Sequence, residues 1–136
     1  MPSFIDAFLT PMRNQAAQVL ICALIMLSFL DVIVGVLNAW CIQHDFKSSV
    51  LRAGIIKKII NLIIVLAAIV IDAVMLTGID MTWLPFSIPD GSIVVFVATS
   101  FVAMEVSSLL EIYAESHPEA SESPLYQMLA KAKGVE

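Results

Sequence analysis

The chain has 136 residues, 60% of them hydrophobic and 14% charged, with a net charge of -5. Soluble domains carry roughly 25% charged and 45–50% apolar residues, and a chain this short has no core able to hide the excess. Its composition argues against a soluble domain and predicts an all-α integral membrane protein with three transmembrane helices, a short N-terminal interfacial helix and a short C-terminal cytoplasmic helix.

Residues 1–16 form the N-terminal segment. Phe4, Ile5, Phe8 and Leu9 recur at helical spacing, and Ser3 stands three residues before Asp6 as a helix N-cap. An interfacial helix is expected there, with a frayed terminus as the alternative. Thr10-Pro11 is a second cap-and-proline start and predicts a break before the first span. A cleaved signal peptide is not expected, because the segment lacks a basic leader and no Ala-x-Ala-like site follows the apolar run.

The first span is expected over 17–40, with Trp40 as an interface anchor. Asp31 lies inside it. A central Asp costs roughly 2.5–3.5 kcal/mol on insertion scales, while the surrounding Leu, Ile, Val, Phe and Met each contribute roughly 0.3–0.6 kcal/mol, so the span still inserts. Leu24, Ser28, Gly35, Asn38 and Ala39 fall on the Asp31 face at helical spacing. That stripe of small and polar residues should face protein or water. Cys22 and Cys41 are too far apart on one helix to bridge and read as small hydrophobes.

A loop over 41–53 carries Lys47 and Arg52 and leads into Lys57 and Lys58, making the basic cluster beside a span. By the positive-inside rule this end is cytoplasmic, and the same cations are expected to touch anionic lipid headgroups. His44 reads as a solvated loop residue. The second span, 54–76, is nearly continuous Ile, Leu, Val and Ala. From Ile59 to Leu76 it extends about 27 Å as a helix, close to the hydrocarbon thickness. Gly54, Lys57, Asn61, Ala68 and Asp72 make a narrower polar stripe along it.

The connection 77–91 has no Lys or Arg and carries Pro85, Pro89, Trp83 and Phe86, which places it outside with its aromatics at the interface. The third span, 92–113, contains Glu105 and Ser108 on a shared side with Ala98 and Val102. Residues 114–136 form an acidic, Ser- and Pro-containing linker and a short helix that starts at Ser123-Pro124. The resulting topology has the N-terminus outside and the C-terminus in the cytoplasm.

Three carboxylates within spans need partners. Asp31 and Glu105 lie in the cytoplasmic half, within reach of Lys57 and Lys58, while Asp72 stands alone in the outer half. An intramolecular clamp of Asp31 or Glu105 with Lys57 or Lys58 is one arrangement and does not exclude assembly. The second, expected because three short helices offer little interior, is polar seams that meet between copies of the chain in a homo-oligomer or at a wet lumen. The seam residues for the second arrangement are Asp31, Gly35, Asn38, Asn61, Asp72, Glu105 and Ser108. There is no nucleophile motif, P-loop, metal-ligand spacing or nucleic-acid signature, so neither enzyme activity nor a cofactor is expected.

The stretch DVIVGVLNAW with Asp31, Gly35 and Ala39, then Ser48-Ser49 ahead of RAGIIKK, then Asp72, EVSSLLE and Pro124-Leu125 with Leu129, resembles the toxin-secretion/phage-lysis holin family. The likeness runs over about residues 28–131. It departs at Ile112, where the family pattern has Asn after the glutamate, and in the long outer loop. The resemblance implies a small phage or prophage protein of the bacterial cytoplasmic membrane that self-assembles into a lesion. Through that lesion an endolysin or a toxin leaves the cell without needing to bind the protein. It also makes Met12 a second possible start. The residues alone leave open a small homo-oligomeric ion or proton pathway and a membrane scaffold acting through its acidic tail.

Overall fold

The computed structural model describes residues 3–42, 44, 47–78, 88–117, 119, 124–132 and 134. Helix α1 spans Phe4–Arg13, α2 Gln15–Leu37, α3 Ser48–Gly78, α4 Ser92–Ser116 and α5 Pro124–Ala132. A π-helical turn, Asn38–Ile42, continues α2. No strand occurs among the described residues, and three helical segments are long and apolar enough to cross a membrane: Gln15–Cys41, Ser48–Thr77 and Ser92–Ser116. The three-span, all-α architecture read from the sequence is therefore present. Trp83 and Phe86, and the Ser123 start of α5, lie outside the described residues.

Local chemistry sets the helix ends. Ser3 caps α1: its hydroxyl accepts from the Asp6 N–H at 3.2 Å and donates to the Asp6 carboxylate at 2.7 Å. The break before α2 comes three residues later than the Thr10-Pro11 pair suggests. Pro11 sits inside α1, fully buried. The turn falls instead at Asn14, which has extended backbone, donates its own N–H to the Pro11 carbonyl and accepts from the Ala16 N–H at 2.9 Å. An Asn side chain that satisfies a free helix donor is a stronger start signal than a proline near the end of the preceding helix.

At Gly91 the chain turns into α4 with φ +79°, a left-handed conformation that a residue with Cβ adopts only at a cost of roughly 1–2 kcal/mol. A Cβ there would also stand 3.3 Å from the Asn14 side chain. The α1–α2 elbow and the start of α4 thus meet closely. α3 begins at Ser48, so Arg52, placed in the loop by the sequence, is helical. At 31 residues α3 is about 46 Å long. Its basic first turns therefore extend beyond an apolar thickness of ~30 Å.

The packing divides the bundle into two levels. Near the 78–91 end, Ala17, Ala68, Ile69 and Val94 form a small apolar core, joined by Phe8, Ile21 and Ile93. Buried Ala7 and Pro11 put one side of α1 against this end, while Ile5, Leu9 and Met12 stay exposed on the other. Down the long axis α2 packs chiefly on α4; Leu24 and Ser28 of α2 and Ala98 and Glu105 of α4 are buried, and Ser28 bonds Glu105 across the pair. α3 packs on α1 and α4 and touches α2 lightly. Most large apolar side chains on the spans, including Met26, Phe29, Ile63 and Phe96, point outward. Bilayer contact requires that distribution.

Candidate functional site: a charge cluster between the spans

Three ionisable residues lie at one level of the bundle. Asp31 is ten residues before Cys41, Lys58 ten after Ser48 and Glu105 eleven before Ser116, so each lies about 15 Å inside the same end of the helices. Their spacing on three antiparallel rods brings the side chains together. The Lys58 ammonium donates to Asp31 Oδ2 at 2.9 Å and to Glu105 Oε2 at 2.5 Å. Ser28 donates to Glu105 Oε1 at 3.1 Å. Glu105 is 4% exposed and has both oxygens engaged. Asp31 has one engaged oxygen, and its Oδ1 is buried with no hydrogen-bond partner. The clamp arrangement thus holds within one chain and joins all three spans.

In hydrocarbon such a cluster has large consequences. An ammonium and carboxylates that neutralise one another insert at far lower cost than separated charges, whereas removing one member leaves the others uncompensated. Two carboxyl groups share one lysine, so the arrangement has an acceptor oxygen in excess. That oxygen belongs to Asp31, which lines a cleft of about 430 Å³ between α2 and α3. Gly35, Ala39 and Gly54 line the cleft towards the helix ends, and Ile112 of α4 also contributes. A Cβ added at Gly35 or Gly54 would meet nothing within 4 Å.

Asp72 is at the opposite level. Its Oδ2 accepts from the Val94 N–H at 2.9 Å and its Oδ1 from the Ile93 N–H at 3.4 Å. Gly91 has no side chain with which to cap α4, and the carboxylate of α3 fills that role across the bundle. Asp72 is 3% exposed. The sequence placed it alone in the outer half; here it has two backbone donors, because the turn at Gly91 brings the free N–H groups of α4 back over α3.

The other seam residues divide between these levels. Asn38 accepts from the Ser116 hydroxyl at 3.3 Å, tying the π turn to the end of α4. Asn61 and Ser108 are half-buried on α3 and α4, while Lys47, Arg52 and Lys57 are exposed. Lys58, grouped with them in the sequence as a topology and lipid-contact residue, is the hub of the cluster. Ser28 and Ser116 act as hydroxyl donors that the site reading missed. Ser28 had a signal, since it shares the Asp31 face one turn earlier. For Ser116, whose partner is on another helix, spacing gives none. No group of His, Cys, Asp or Glu suited to a metal occurs among the described residues.

The combination of three apolar rods and one internal charge cluster fits a small self-contained membrane unit. A family model described as the bacteriophage holin family matches residues 11–120, from within α1 to beyond the end of α4. The chain belongs to the bacteriophage holin family. Searches of curated proteins and of solved structures return no match. As a holin it is a multi-pass membrane protein of a family that forms membrane lesions rather than catalysing a reaction. Asp31, Lys58, Asp72 and Glu105 all fall inside the matched stretch, and α5 falls outside it.

Proposed function

We propose that this holin accumulates in the host cytoplasmic membrane, with its N-terminus outside and its C-terminus in the cytoplasm. It then self-assembles into a lesion that releases an endolysin, or a toxin, from the cell. The observation that carries the reading is the family match over all three spans, joined to a subunit whose spans turn many large apolar side chains outward. Such a unit accumulates in the bilayer harmlessly while its charges stay paired. Assembly then needs contacts between small-residue faces, and the α2 stripe through Gly35 together with Gly54 of α3 supplies them.

In the closed subunit Asp31, Glu105 and Asp72 face inward. A wet lumen lined by the seam residues therefore requires Lys58 to part from its carboxylates and the helices to separate. The closed unit and the lumen-lining arrangement are two states of one chain, and the charge cluster is the latch between them. Inducing the gene together with a cytosolic endolysin should give abrupt lysis with release of a cytosolic marker. Growth arrest without marker release would remove the proposal.

A second reading, a homo-oligomeric ion or proton pathway, draws on the chain of ionisable groups Asp31, Lys58 and Glu105 inside the spans. Liposomes containing the purified protein and dyes of increasing mass separate the two. Passage of protons alone favours the pathway, and leakage of dyes and then of a folded protein favours the lesion.

A further inference from the structure

The single chain leaves one polar account open on each of two faces. In the α2–α3 cleft, Asp31 Oδ1 is a buried acceptor with no donor. On α3, Lys57 is exposed next to Lys58 but takes part in neither ion pair of the cluster. An ammonium offers three donors and a carboxylate oxygen needs one. Both groups sit at the same depth: Lys57 is nine residues from Ser48 and Asp31 ten from Cys41, a difference of about 1.5 Å along a helix.

Copies of one protein inserted with one orientation share their depth in the bilayer. What matches in level within one chain therefore matches between neighbours. We propose that the α2–α3 cleft is a docking site for a second copy of this chain, whose Lys57 donates to Asp31 while its α3 ridge of Ala53, Lys57 and Ile60 enters beside Gly35 and Gly54. This inference rests on the self-assembling reading above and specifies the contact that would carry it.

Three observations select this occupant. The two glycines give onto open space, so a helix can approach closely. Lys57, an exposed cation on a spanning helix, lacks a carboxylate partner in its own cluster, and in the cleft Asp31 Oδ1 is, among the described residues, the buried side-chain acceptor without a donor. The contact joins two different faces, the cleft of one copy and the Lys57 ridge of the next. It is thus heterologous and propagates into rings or open arrays instead of stopping at a dimer. The Lys58 bridge to Asp31 Oδ2 and Glu105 is kept, so each unit joins the array closed.

The test uses the full chain with Cys22→Ala and Cys41→Ala. Two differently tagged versions are co-expressed, one with Ala39→Cys in the cleft and one with Ala53→Cys one turn from Lys57, and oxidised in membranes. The mixed 39–53 cross-link should exceed the 39–39 and 53–53 products. Lys57→Gln or Asp31→Asn should lower it by about three- to tenfold, the range of a polar contact between helices in a bilayer, and Lys57→Arg should restore it. Dominant symmetric products, or a mixed product unchanged by Lys57→Gln, would overturn the contact. So would its loss when the Ala39→Cys and Ala53→Cys pair, with Asp31 and Lys57 intact, moves from phosphatidylglycerol to phosphatidylcholine vesicles, which marks Lys57 as a headgroup ligand only. Should a variant fail to accumulate, the Asp31 and Lys57 series report independently. Endolysin release measured in parallel separates the two levels: lysis without the mixed product removes this contact alone, and loss of both lysis and association removes the proposed function.

Discussion

The three members of the charge cluster are not equivalent. Lys58 serves two carboxylates, so Lys58→Met strands both and should cost about 3–5 kcal/mol, read as a loss of thermal stability in detergent and of protein level in the membrane. Asp31→Asn removes the surplus negative charge and leaves Lys58 paired one-to-one with the Glu105 carboxylate, whose second oxygen keeps Ser28. It should therefore cost less than Glu105→Gln, which weakens both the Lys58 bridge and the Ser28 bond. Equal losses in the two variants would show that the cluster is held differently. Asp72→Ala removes a charged cap from α4 and should cost about 1–2 kcal/mol in the same assay. Much of this was readable beforehand: carboxylates in apolar runs demand partners, and the lysines at matching depth were the candidates. Sequence did not distinguish Lys57 from Lys58, since adjacent residues on a helix differ by a rotation that only the packed bundle resolves.

Elements were legible wherever apolar runs were long and uninterrupted, so all three spans were found. Their ends were less so. The start of α2 depends on an Asn14 side chain, and the start of α4 on a carboxylate from another helix, which no local pattern encodes. Two predictions belong at this level. Gly91→Ala forces a left-handed backbone onto a residue with Cβ and presses on Asn14, so it should destabilise by about 1–2 kcal/mol. Gly54→Ala, open to the cleft, should leave the isolated subunit unchanged; thermal unfolding of the two variants side by side checks the contrast. A chain started at Met12 lacks most of α1 and uncovers part of the apolar core of Ala17, Ala68, Ile69 and Val94 that Phe8 packs against. It should unfold at lower temperature than the full chain while still inserting.

At the scale of the molecule, the proposed orientation makes a direct prediction. In the cysteine-free background, Ser3→Cys should react with a membrane-impermeant thiol reagent added to intact spheroplasts, and Glu119→Cys only after lysis; the reverse pattern inverts the topology. Fold class was legible because composition and run length settle how many rods the bilayer holds. The pairing order of those rods was not, because every span offers a small-residue stripe and stripes do not name their partners. α2 favours α4 over α3, its neighbour in sequence. This has a consequence for biosynthesis. A ribosome delivers the first two rods well before the third, so α2 waits in lipid with Leu24 and Ser28 uncovered until α4 arrives to close over them. Only the final span turns a loose hairpin into a finished unit, and a nascent chain halted at residue 90 should remain an open pair, poorly protected from membrane proteases.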